Sequence, residues 1–291
     1  MSTQVPALLD GLVDDAAVFP PGNAPLPDAV AAHRRHRAAW YADLVGPLLV
    51  PATRLPELAG LLGADERIAV GVIGDVPLDR LDEVRATADP RIHVRLVEAA
   101  VAKRGEDPLP GLTELVALAR RAGGAGPAAL DAVHAELPLT FGLMGALDAL
   151  AAARADGVPI AAKFRTGGLA AELFPTPAEL AAVICACRDR DVPFKLTAGL
   201  HQAVRHLDPE TGFTHHGFVN VLAATLAAAG GATVARVAEL LTAADPRPLL
   251  QHAEAGLDAP RPLWIGFGSC SILEPLTDLI RLGLVNGGFA A

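Results

Sequence analysis

Two of the chain's three lysines stand where solvation does not account for them. Lys163 and Lys195 lie inside apolar runs, while 21 arginines do the work of a charged surface. Burial and a neighbouring like charge both lower the pKa of an ammonium, and an amine so tuned adds to carbonyl carbons to form imines. Each lysine opens a similar element, Lys163-Phe164-Arg165-Thr166-Gly167-Gly168 and Lys195-Leu196-Thr197-Ala198-Gly199. Strand side chains alternate by two, so Lys163 shares a face with Arg165, and Lys195 with Thr197. Glu98 and Glu136 end two further apolar runs, and His201 follows the Lys195 element. These three are the candidates for moving protons. The alternative for the same charges is a structural ion-pair network, with Lys163 set against Glu136 across neighbouring strands.

A second element, Gly266-Phe267-Gly268-Ser269-Cys270-Ser271, precedes Glu274. Ser271 and Glu274 have capping-box spacing, so a helix is expected to begin there. The turn at Gly268, Ser269 and Ser271 would then offer backbone N–H groups to a phosphate or carboxylate. Cys270 has no partner at a diagnostic spacing and reads as a packed thiol. Cys185 and Cys187, two apart on one helix, read as core or contact positions.

His201, His206, His215 and His216 cluster in sequence, and with Glu98 or Glu136 they could complete a metal site. No His-x-His or His-Glu-x-x-His spacing is present, so no metal ligand is assigned. His201 and His216 are the better acid/base candidates among them. His33 and His36, set among Arg34, Arg35 and Arg37, read as a solvated helix face. Of the adjacent Asp14 and Asp15, alternation lets only one face a core, and Pro20-Pro21-Gly22 fixes the loop that follows.

The elements that must position these residues alternate along the chain. Apolar runs at Val13 to Phe19, Pro47 to Pro51, Arg67 to Gly74, Ile92 to Ala99, Ala132 to Leu137, Pro159 to Phe164, Pro193 to Thr197 and Leu263 to Gly268 are separated by segments of helical period. Eight strand-helix units without a dinucleotide glycine fingerprint predict an α/β fold, a (β/α)8 barrel. Residues 1–291 are expected to form a single barrel domain, with Gly123 to Pro127 a flexible loop. The insert after the seventh strand, Leu200 to Ala259, is expected to hold two helices, Phe218 to Ala228 and Val234 to Ala243, and to serve as a lid or an oligomer contact. In such barrels the chemistry gathers at the C-terminal strand ends, where Glu98, Glu136, Lys163, Arg165 and Lys195 all fall.

Composition removes several classes. A formal charge of -9 disfavours nucleic acid and anionic membranes as partners and asks any anionic ligand for a local cationic pocket. Three cysteines make no disulfide framework, and Met1-Ser2-Thr3-Gln4 has no leader character, so a cytoplasmic location is expected. The longest uncharged stretch, His216 to Ala235, holds Asn220, Gly230 and Gly231 and makes a poor membrane span.

Over residues 159–200 the paired lysine elements resemble the active-site strands of class I, Schiff-base aldolases of the deoxyribose-phosphate aldolase type, with a fainter echo at 266–271. The resemblance implies Lys163 as the imine-forming lysine and Lys195 as the neighbour that lowers its pKa. Arg165 and Gly168 replace the small polar and aromatic residues of that family, and Glu98 or Glu136 must take its acid/base role. The chain as a whole resembles uncharacterised bacterial proteins, which implies no activity. The expected function is therefore a lyase acting on a small oxo compound. Arg165, Thr166, Gly167, Thr197, Gly268, Ser269 and Ser271 would bind its phosphate or carboxylate end, and no cofactor is needed because the protonated imine is the electron sink. Two alternatives remain open: a metal-dependent hydrolase, lyase or isomerase using His and Glu, and a non-catalytic anion-binding barrel.

Overall fold

The computed structural model describes residues 5–123 and 129–287. Its main sheet is built from β1 (Val13–Asp15), β2 (Val45–Pro51), β3 (Ile68–Ile73), β4 (Ile92–Ala100), β5 (Ala132–Glu136), β6 (Ile160–Arg165), β7 (Phe194–Thr197) and β10 (Trp264–Ser269). These strands follow the order β1-β10-β7-β6-β5-β4-β3-β2 and close into a parallel α/β barrel of the (β/α)8 kind. The alternation follows α1 (Leu26–Ala38), α2 (Leu55–Gly60), α3 (Leu78–Ala86), α4 (Leu109–Ala122), α5 (Leu143–Ala155), α6 (Pro177–Asp189) and α10 (Leu273–Arg281).

Three expectations need correction. The first strand stops at Asp15, because the chain turns where the Phe19 N–H donates to Ala16 O at 2.9 Å. The insert holds three helices, α7 (Phe218–Ala229), α8 (Val234–Thr242) and α9 (Arg247–Glu254), preceded by a small hairpin of β8 (His206–Leu207) and β9 (Thr214–His215). Nor is His33 solvated: it is buried, because helical period puts it on the face of Leu26, Ala29 and Val30. His36 is half-buried, its Nδ1 lying 3.0 Å from the Tyr41 hydroxyl. The loop expected at Gly123 to Pro127 falls, after Gly123, outside the described residues, as does the chain start. Among the described residues no helix is long and apolar enough to cross a membrane.

The chain forms two compact units. One comprises Met1–Asp15, Arg34–Gly46 and Arg165–Ala291, the other Ala16–His33 and Pro47–Phe164. In the second unit, a Cβ placed on Gly74 would lie 3.1 Å from Leu81 of α3 and 3.2 Å from the Ala99 Cβ, so Ala99 faces the helices. Alternation then turns Glu98 to the opposite face. A register shift in β4 leaves Arg95 as the extra residue, exposed and bonded to Asp131 at 2.7 Å, and returns Leu96 to the Glu98 face. There Leu49 and Leu96 meet over Gly71, where a Cβ would stand 2.6 Å from each. The result is an apolar layer beside the charged one.

In the first unit α7 is buried along most of its length and contributes core. Its Asn220 is fully buried and fully used: Oδ1 accepts the Arg205 N–H, and Nδ2 donates to Leu240 O and Ala243 O, each at 2.8 Å. The insert is therefore tied into its unit by a satisfied polar anchor. Arg261 plays a similar part, donating to the carbonyls of Leu8, Asp10, Trp264 and Ile265. Burial pushes its pKa down to about 10.

Candidate functional site

Four titratable side chains of one unit meet on a single face of β4, β5 and β6. The register pairs Glu98 with His134 and Glu136 with Lys163. Lys163 Nζ lies 2.8 Å from Glu98 Oε2 and 2.9 Å from Glu136 Oε2, so its ammonium bridges a neighbouring strand and the strand beyond it. His134 Nδ1 stands 3.2 Å from the other Glu98 oxygen. Glu98 and His134 are each 1 % exposed and Lys163 is 4 % exposed, while the Glu136 side chain keeps 18 % of its surface. Two carboxylates against one ammonium leave the cluster with an excess negative charge unless another proton is held in it. An apolar filling would be no less stable, so such a cluster is not what stability alone selects.

The other unit holds the second lysine. Lys195 forms a buried ion pair with Asp14. Of the adjacent acids, Asp14 is thus the one on the charged face. Asp14 sits beside a glycine of necessity, since a Cβ on Gly46 would run into its carboxylate oxygen. The Asp14 carboxylate also offsets the charge through which Lys195 was expected to lower the pKa of another amine.

The turns after the two lysines dock on one another. The Thr166 N–H donates to Thr197 O at 2.9 Å, and its hydroxyl to Ala198 O at 2.6 Å. A Cβ on Gly167 would lie 2.9 Å from the Gly199 Cα, so Gly167 serves this close approach of backbones. Thr166 is fully buried with its hydroxyl committed. Arg165 ends β6 with its side chain exposed, and Thr197 is half-buried at the end of β7.

At the end of β10 the Ser269 hydroxyl donates to Ser271 O at 2.8 Å and accepts the Ser271 N–H at 3.2 Å. Ser271 Oγ accepts the Glu274 N–H at 3.2 Å, which is half of the expected capping box. The other half is absent, because the Glu274 carboxylate turns to His201, 3.4 Å from Nδ1. Cys270 Sγ lies 4.0 Å from the same nitrogen, a neighbour that sequence spacing did not reveal. Burial pushes the His201 pKa down, against the pull of Glu274.

The remaining histidines serve the structure. His216 donates from Nε2 to Pro175 O at 2.8 Å, and burial drives its pKa down to about 4, which removes it as an acid/base at neutral pH. His215 stacks on His206 with centroids 5.3 Å apart, and its Nδ1 lies 3.1 Å from Gly199 O. Among the described residues no group of three or more His, Cys, Asp or Glu is arranged to hold a metal ion. Compared with known proteins, the chain matches no family model, no curated protein and no solved structure.

Sequence reasoning missed His134 and the pairing of Asp14. His134 is hidden in Ala132-Val133-His134-Ala135-Glu136, where it reads as part of an apolar run. Counting back two residues from Glu136 would have placed it on the charged face.

Proposed function

We propose that the protein is a lyase of the aldolase type, acting on a small oxo compound through an imine formed at Lys163. The observation that carries the reading is the buried Lys163 amine held within 3 Å of two carboxylates near the C-terminal ends of β4, β5 and β6. Lys163 passes a proton to Glu136, the more exposed of the two carboxylates, and its lone pair forms a C–N bond to the substrate carbonyl carbon. Glu136 returns that proton to the former carbonyl oxygen, then takes a second from the carbinolamine nitrogen and passes it to the same oxygen, which leaves as water and gives a protonated imine.

A carboxylate then takes the proton of the β-hydroxyl group. The electron pair of the adjacent C–C bond moves into the iminium, one aldehyde departs, and an enamine remains. Protonation of the enamine carbon and addition of water restore the amine and release the second carbonyl product. Glu98 keeps the Lys163 amine directed through the cycle. Arg165, two residues along β6 on the same face, supplies a cation for a phosphate or carboxylate terminus.

The ion pairs on both lysines favour a second reading, a non-catalytic barrel whose charges serve only structure. One experiment separates the two. The protein is incubated with small aldehydes, keto acids and phosphorylated ketones in cyanoborohydride, and adducts are located by peptide mass spectrometry, with Lys103 as surface control. An adduct confined to Lys163 and absent from Lys163→Met supports the lyase. Labelling of Lys103 alone refutes it.

A further inference from the structure

We infer that His134 is a positioning residue for Lys163, acting through Glu98 as an Nδ1–H donor that keeps the Glu98 carboxylate ionised and turned toward the amine. The inference rests on the same cluster as the proposed lyase and deepens it. Three observations carry it. His134 and Glu98 are opposite one another in register, with Nδ1 3.2 Å from Glu98 Oε1, so the two oxygens of Glu98 are divided between His134 and Lys163. Both residues are 1 % exposed, so the carboxylate has little water to hold its charge. His134 Nε2 is buried and has no hydrogen-bond partner among the described residues, which leaves Nδ1 as the nitrogen through which the ring acts.

The position along the strand supports positioning over direct chemistry. His134 precedes Glu136 by two residues and so lies deeper on the same face. The charged groups facing it within its unit are Glu98 from β4, Glu136 from β5 and Lys163 from β6. An Nδ1–H donor stabilises the Glu98 carboxylate through a hydrogen bond to its free side. With that donor gone, a buried carboxylate oxygen loses its partner and Glu98 takes up a proton more easily. Lys163 is then held less strongly by this anion and gives up its proton more readily.

The test is competitive reductive methylation with formaldehyde and cyanoborohydride across pH, read at Lys163 by peptide mass spectrometry against Lys103. The His134→Leu variant should move the Lys163 labelling midpoint down by roughly one pH unit. His134→Asn, whose amide nitrogen takes the place of Nδ1, should keep the wild-type midpoint. His134→Gln, whose amide reaches only toward the place of Nε2, should move it as leucine does and serves if the leucine variant does not fold. Unchanged midpoints in the leucine or glutamine variants, or an asparagine variant that shifts as far as they do, overturn the inference. The readout needs no substrate: a shifted midpoint in a protein that traps no keto acid or phosphorylated ketone keeps the role of His134 and removes the lyase.

Discussion

Asp14 and Lys195 form an ion pair although β10 lies between their strands. Asp14 is in register with Gly268 of β10, and Lys195 with Gly266. Two strand spacings come to about 10 Å, and the long lysine side chain covers most of that distance to the short Asp14 carboxylate, past glycines of the strand between them. Gly266 has a second reason to be glycine: its φ is +148°, and a Cβ there would stand 2.5 Å from Leu12 O.

Removing one member of this pair leaves the other charge buried. Asp14→Asn and Lys195→Met should each cost about 3–5 kcal/mol of stability, and the double variant should recover much of the loss. Gly46→Ala should behave like Asp14→Asn, because its methyl group displaces the same carboxylate. Urea unfolding of the four variants checks this. Strictly additive losses in the double variant would mean that the pair is not the source of the cost.

The Lys163 cluster yields a different pattern, because its members are assigned to chemistry. Lys163→Met should abolish imine trapping. Glu136→Gln should keep Lys163 as the trapping site yet slow adduct formation by about 100-fold, the usual weight of one positioned acid/base. Time-resolved trapping with the best carbonyl compound of the panel measures both. Wild-type rates in Glu136→Gln would move the proton-transfer role away from that residue.

The barrel was legible because most strands are short apolar runs closed by glycine or proline, and parallel strands buried on both faces read that way. The third insert helix was not, since Asp245-Pro246-Arg247-Pro248 looks like a loop. Proline is at home in a helix's first turn, where its missing N–H has no partner to lose, and α9 begins on that sequence. The candidate site divides along the same line. Glu98, Glu136 and Lys163 were visible as charges in apolar runs, and strand alternation sufficed to associate them. The Asp14 to Lys195 contact depends on which strands are neighbours around a closed sheet, and the Cys270 to His201 approach on how two loops meet. Neither relation has a spacing in the chain.

Histidine protonation should set the acid limit of the fold. His216 is driven from an ordinary value of 6.5 to about 4 by burial, aided by the charges of Arg205 and His215. The unfolded chain binds the proton between those limits and the folded one does not, so the stability is complete above pH 6.5 and lost as pH falls through 4. The span corresponds to about 3 kcal/mol. Urea midpoints from pH 4 to 7.5 should rise with pH, and His216→Gln, which keeps a donor for Pro175 O, should flatten the rise. An equal slope in that variant would assign the acid sensitivity to other groups.

The three thiols should separate by reactivity. Cys185 and Cys187 are buried on α6, and burial raises both, Cys187 to about 12. Cys270 is half-buried on the turn before α10, with His201 Nδ1 4.0 Å from its sulfur. The depressed His201 pKa leaves the imidazole neutral at pH 7, and its Nδ1–H, which faces both the Glu274 carboxylate and the Cys270 sulfur, favours the thiolate. In folded protein, iodoacetamide should therefore alkylate Cys270 well ahead of the other two, and His201→Ala should slow it while leaving its exposure unchanged. Peptide mass spectrometry over a time course reads both rates. Equal labelling of Cys270 in the presence and absence of His201 would reduce their approach to a packing contact and leave exposure as the whole cause of the order.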